Sequence, residues 1–297
     1  MRAAFLAVLC LVAFVAADAD AQNWRASRGV TWSDGQGWSS SKPGRSCGDP
    51  PSTSLSVWLD ARNIDGSNNA TLVNNDPVTT WQDLGSNNDD PTQGTAGAKP
   101  TFISSCIGGK ACVRFDGGDS LRATTASNFA FMHAAAGSTT YVLVKHTAAA
   151  GSFNAMTSTA AISSTNVGMV FVMNDSSVNE GIRTYMVNGT TSFTASSVLN
   201  VFPINFWHIA TSISADTGGT DLANYVDGTV RGTGSAATYV GGNPTTALTI
   251  GGDGAGTAVF RMTGDVAQVL IYSGAHDAST QATVETWLEC VYGGTPQ

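Results

Sequence analysis

Charge is scarce in this sequence. Lys, Arg, Asp and Glu make up 12% of 297 residues, where an average globular chain carries about 25%. That excludes coiled coils and charge-driven disorder, both of which depend on dense charge. Basic residues are scarcer than acidic ones, 14 against 22, for a net charge of −8 and an isoelectric point near 4.7. A nucleic-acid partner is therefore excluded, because polyanion binding needs a basic surface. Glutamate occurs only three times, at Glu180, Glu285 and Glu289. Cys-x-x-Cys pairs and the Gly-x-Ser-x-Gly nucleophile elbow are absent, which argues against a clustered zinc site and a serine hydrolase. After the first residues, no run is long and apolar enough to span a bilayer. What is plentiful is glycine, 33 residues of it, with much Ser, Thr and Asn. That composition fits short strands joined by many turns.

The first residues have the order of a secretory signal. Arg2 precedes the apolar run Ala3 to Ala17, and small residues follow in Ala17-Asp18-Ala19 and Ala19-Asp20-Ala21. This is the charged, apolar, A-x-A sequence of a cleaved leader, and the run is short for a membrane span. Residues 1–21 are expected to be removed, and the mature chain to be secreted, extracellular or at the cell surface. Without Cys10, which falls in the leader, four cysteines remain, an even number suited to an oxidising compartment. Three pairings are possible. Cys106 and Cys112 bracket a tight turn at Ile107-Gly108-Gly109-Lys110-Ala111, which favours a local bridge and leaves Cys47 to reach Cys290. Closing so long a loop contributes about 4–5 kcal/mol in the chain-entropy description.

Residues 22–54 read as an arm or linker rich in Ser, Gly and Pro, carrying Trp24, Trp32 and Trp38. Strand-like alternation begins at Leu55-Ser56-Val57-Trp58-Leu59 and continues through the domain assigned to residues 55–297. Strands are predicted at Tyr141 to Lys145, Gly168 to Met173, Ile182 to Asn188, Phe206 to Ile213 and Val266 to Tyr272. Asp227-Gly228 suits a two-residue type I′ turn between Leu222–Val226 and Thr229–Arg231. One helix is predicted, from an N-cap at about Ser279 through Val284, Trp287, Leu288 and Val291 to Gly293. Many short strands and one terminal helix give an all-β, antiparallel two-sheet sandwich.

Four segments carry a resemblance. Trp207-His208-Ile209-Ala210 followed by Tyr225-Val226-Asp227-Gly228 resembles a hairpin of laminin-G-like modules, members of the concanavalin A-like lectin/glucanase superfamily. Leu248-Thr249-Ile250-Gly251-Gly252 with Gly264-Asp265-Val266 onward, Val113-Arg114-Phe115-Asp116-Gly117-Gly118-Asp119-Ser120-Leu121, and Leu59-Asp60-Ala61 with Trp81-Gln82-Asp83 resemble further elements of that family. The resemblance spans roughly Leu55 to Gly293 and implies a jelly-roll sandwich. These residues also make sense physically, as alternating core positions and turn formers, so they speak for fold before activity.

The resemblance implies that Ca²⁺ is the metal to consider, at Asp116 and Asp119 with Asp265 as a third ligand. All three are oxygen donors suited to a hard cation, although Asp116 and Asp119 are also ordinary turn formers beside glycine. Enzymatic relatives carry paired carboxylates or a Tyr/His pair with an Arg-rich strand. With so few glutamates and no such strand, the chain is expected not to be an enzyme. Glycan binding would need exposed aromatic platforms. Trp58, Trp81 and Tyr239 are the aromatics to weigh: core burial is favoured for both tryptophans, and Tyr239 and Trp81 stand as candidate contacts. Asn69, Asn174 and Asn188 lie in N-x-S/T sequons and are candidate glycan carriers.

These observations lead to a secreted, non-catalytic binding or adhesion module that engages extracellular glycan or glycoprotein through its rim loops. The alternative is a structural subunit of an extracellular filament or coat, in which the arm adds as a strand to a neighbouring copy with Trp32 and Trp38 as anchors.

Overall fold

Along Leu55–Asp60 (β1) the odd residues Val57 and Leu59 enter one apolar cluster while Trp58 packs against another. The same alternation organises the whole protein. The computed structural model describes residues 47–147, 154–161, 165–173, 181–190, 192–197, 201–216, 221–234, 242–254 and 260–293. The expected leader, the arm up to residue 46 with Trp24, Trp32 and Trp38, and Tyr239 and Asn174 lie outside them.

After β1 come β2 (Thr101–Ile107), β3 (Lys110–Asp116), β4 (Leu121–Arg122), β5 (Ser138–His146), β6 (Asn154–Ser158) and β7 (Val167–Met173). They are followed by β8 (Ile182–Asn188), β9 (Ser192–Ser196), β10 (Trp207–Ser214), β11 (Leu222–Val226), β12 (Thr229–Gly234), β13 (Thr249–Ile250), β14 (Thr263–Ser273) and the helix α1 (Ala278–Tyr292). Two antiparallel sheets result. One runs β12-β11-β10-β5-β14-β3-β2, with β1 also on β14; the other runs β4-β13-β6-β7-β8-β9. Strand β14 is long enough to serve two partners on one edge. Its first residues pair with β3, from Thr263↔Asp116 to Val266↔Val113, and its later ones with β1, from Gln268↔Asp60 to Tyr272↔Leu55. The fold is thus a mostly β two-sheet sandwich with one short C-terminal helix.

Between the sheets lie Val57, Leu59, Val113, Phe115, Val142, Val144, Phe171, Val269 and Ile271. The outer face of the larger sheet presents Tyr141, Leu143, Ile209, Leu270 and Tyr272, and α1 covers it with Val284, Trp287, Leu288 and Val291. Those helix positions follow i, i+3, i+4, i+7, so one face of the helix is apolar. The helix starts earlier than predicted because Asp277, not Ser279, is its cap: the carboxylate accepts from Thr280 N at 2.7 Å. Gly293 ends it at φ 93°, a left-handed conformation that glycine adopts without strain.

Two disulfides brace the sandwich. Cys106–Cys112 closes the β2–β3 hairpin, whose tip Gly108-Gly109 takes φ 55° and 75°. Cys47–Cys290 joins the first described residue to the end of α1 across 243 positions of sequence. Among the described residues no helix is long and apolar enough to cross a membrane. The disulfides suit an extracellular, oxidising setting.

Candidate functional site

The outward residues of β1 build a cleft. Trp58 points away from the inter-sheet core, partly exposed, with its ring edge-on to Trp287 at 6.5 Å between centroids. Two residues on, Asp60 shares its face. The cleft, about 460 Å³, is lined by Trp58, Asp60, Arg62, Asn63, Asn68 and Lys110, with the Cys47–Cys290 bridge as one wall. Its volume falls within the about 300–1,000 Å³ typical of small-molecule sites.

Each wall has a local cause. Asp60 caps the turn after β1, its Oδ1 accepting from Arg62 N at 2.8 Å, and takes the Arg62 guanidinium through Nε at 3.0 and 3.1 Å. The same guanidinium lies 5.6 Å above the Tyr292 ring, a cation–π contact that fixes the fork. Lys110, at the tip of the β2–β3 hairpin, forms no ion pair with any described residue. Opposite, Trp287 Nε1 donates to Gly48 O at 3.2 Å, holding the chain beside the disulfide.

Trp58 itself is held from behind by the Trp81-Gln82-Asp83 segment. Asp83 Oδ1 accepts from Trp58 N at 2.9 Å and Gly85 N at 2.8 Å, and Leu84 N donates to Trp58 O at 2.9 Å. Burial pushes the Asp83 carboxyl above its ordinary value, while these donors pull against that rise. Gly85 is needed for the approach, since a Cβ there would sit 2.5 Å from Ser56 O and 2.8 Å from Trp58 N.

Other sequence-predicted residues fall elsewhere. Trp81 is wholly buried, at 0% exposure, in the inter-sheet core. It offers no platform, because an inward position one residue after the Thr80–Thr92 bridge leaves its ring to fill volume. Trp58 is the reverse: the sequence favours core burial for it, yet its side chain is partly exposed. The signal was available in the alternation of Val57, Trp58 and Leu59. Arg62 and Lys110 had no sequence signal, since nothing local marks which cations face an aromatic.

The three proposed calcium ligands do not form one set. Asp119 Oδ2 accepts from Asp116 N at 2.9 Å, and Asp116 Oδ1 from Gly118 N at 2.7 Å, so these two are turn-stabilising neighbours. Burial, with the adjacent Asp116, pushes Asp119 up to about 6. Asp265, buried, is spent on two cations: Arg114 Nε at 2.7 Å and Lys145 Nζ at 2.8 Å. Among the described residues, the group of three or more acidic, thiol or imidazole atoms within 4.8 Å of one another is that of Cys106, Cys112 and Asp265. Its two sulfurs are tied in a disulfide and offer no thiolate.

The sequons differ too. Asn69 uses both ends of its amide, Oδ1 accepting from Ile64 N at 2.6 Å and Nδ2 donating to Ala61 O at 2.8 Å, so its side chain is part of the turn. Asn188 accepts from Thr190 N at 3.1 Å and Thr190 Oγ1 at 3.0 Å.

No known protein-family profile and no curated protein sequence matches the chain. Solved structures do. Domain 4 of AbnA, a GH43 extracellular arabinanase from Geobacillus stearothermophilus solved with arabinotriose, superposes with a TM-score of 0.53 at 13% identity, over 80% of this chain and 99% of that one. A Trypanosoma rangeli sialidase superposes with a TM-score of 0.51 at 14% identity, over 88% of this chain. The chain spans 37% of that sialidase's length. At such identities the likeness is one of fold. It nevertheless corrects the expectation that the chain is not an enzyme, because the fold neighbours include a sialidase. The flaw in that expectation is chemical: the carboxylate pair, the Tyr/His pair of a lyase and the serine elbow do not cover glycosidases such as sialidases, whose nucleophile is a tyrosine.

Proposed function

We propose that this chain is a secreted, laminin-G-like sandwich that binds extracellular glycan in the cleft beside Trp58. The observation that carries this reading is the site itself. A partly exposed tryptophan stands beside the Asp60–Arg62 fork, with Asn63, Asn68 and Lys110 around it. An aromatic face suits the C–H surface of a sugar ring, and fixed polar groups at its edge suit hydroxyls. The Asp83 clamp and Trp287 hold the platform in place before any ligand arrives, so little ordering entropy opposes binding. The arabinanase domain, which was solved with arabinotriose, supports a short oligosaccharide as the class of ligand.

Trp58→Ala is the test. Binding of the whole chain to an array of plant, bacterial and animal oligosaccharides, arabinotriose among them, should weaken at least about thirtyfold, the loss typical of a central aromatic anchor. Unaltered binding by the variant would place the site elsewhere.

A further inference from the structure

The cleft beside Trp58 has a neighbour that shares a bordering segment of chain. A second cavity, about 450 Å³, is lined by Leu72, Pro77, Thr79, Thr80, Gln82 and Asp90 among others. One segment of chain borders both: Asn63 and Asn68 line the first, and Ile64, Asp65 and Leu72 line the second.

The shared segment, residues 61–72, is rigid. Asp65 accepts from Ser67 N and Asn69 N at 2.8 Å, Thr71 N at 3.0 Å and Thr71 Oγ1 at 2.7 Å. Asn63 Oδ1 accepts from Asn68 N at 2.7 Å. Gln82 N donates to Ile64 O at 2.9 Å, seating the turn on the domain.

In the second cavity, hydrogen-bonding capacity is unspent. The Thr79 and Thr80 hydroxyls and the Gln82 side-chain amide bond to no described residue, and the exposed Pro77 and half-buried Leu72 set apolar surface beside them. Hydroxyl and amide groups flanking a small apolar surface complement a sugar ring. The charged lining consists of Asp65 and Asp90 with no Lys or Arg, which repels an acidic sugar.

We propose that this second cavity is a subsite for the same ligand, so that the protein takes a linear, uncharged oligosaccharide lying over the 61–72 turn. The proposal rests on the glycan reading of the Trp58 cleft. Two subsites on one chain of sugars make the second contact intramolecular, so affinity should climb with ligand length.

Calorimetry of the whole chain with arabino- and cello-oligosaccharides of di-, tri- and hexasaccharide length tests this. The better-bound series should show the hexasaccharide at least about tenfold tighter than the trisaccharide. Thr79→Arg, which fills the second cavity, should bring that ratio close to one. Affinity independent of length, or an intact ratio in Thr79→Arg, would overturn the proposal while leaving the Trp58 cleft standing. Sialyllactose binding more tightly than lactose would overturn the uncharged assignment. Failure to bind any probe, arrays included, would remove the glycan reading and this one together.

Discussion

Glu285 should make the protein lose stability as the pH rises through neutrality. It sits on α1, 6% exposed, against the Asp227-Gly228 turn of the larger sheet. Burial pushes its carboxyl from the ordinary 4.5 up to about 7; Asp227 and Glu289 add to the rise, and the Gln281 amide, 2.9 Å away, opposes it. A carboxyl with a raised folded pKa binds its proton more tightly in the native state. Its contribution is complete below about 4.5 and is lost as the pH climbs through 7. The gap, at about 1.4 kcal/mol for each pH unit, comes to about 3 kcal/mol. Other groups titrate nearby. His146, which burial holds down to about 4, works in the opposite sense, gaining stability as the pH rises towards its ordinary 6.5. The clean quantity is therefore the difference between Glu285→Gln and wild type, which keeps the acceptor for Gln281 but cannot ionise. Urea unfolding followed by tryptophan fluorescence, disulfides intact, should show no difference at pH 4.5 and the variant ahead by about 3 kcal/mol at pH 8. Two parallel pH profiles would refute the argument.

Gly85→Ala should cost about 1–3 kcal/mol and weaken glycan binding as well, because the added Cβ meets the β1 backbone that presents Trp58. Urea unfolding and calorimetry report the two effects separately, and a neutral result in both would show that β1 is not clamped there. Asp265→Asn should lose about 2–3 kcal/mol at pH 7. That is below the about 3–5 for a fully buried pair, because Arg114 is half-exposed and regains water. Unchanged unfolding midpoints would sink it.

The sheets were legible because alternation is a local property. Ile182–Asn188 matches its predicted strand to the residue, and Asp227-Gly228 takes the positive φ values, 51° and 74°, that its turn type demands. The cysteine pairing was legible from the tight turn between Cys106 and Cys112, which left one long partner pair. The site was not. Whether Trp58 or Trp81 reaches solvent depends on which one α1 and the sheet-to-sheet core happen to cover. The α1 residue that meets Trp58 is Trp287, more than two hundred residues away in sequence. Asp265 misled for the same reason, as its two cations lie on β3 and β5. Catalysis could not be excluded from motifs, because those weighed did not include a glycosidase with a tyrosine nucleophile.

The Cys47–Cys290 bridge also decides how the domain carries load. Tension applied before residue 47 and after residue 290 runs through a covalent bond and bypasses all of the strands between them. The strands then feel almost none of the pull, which is carried instead by the one wall of the Trp58 cleft that is a covalent bond.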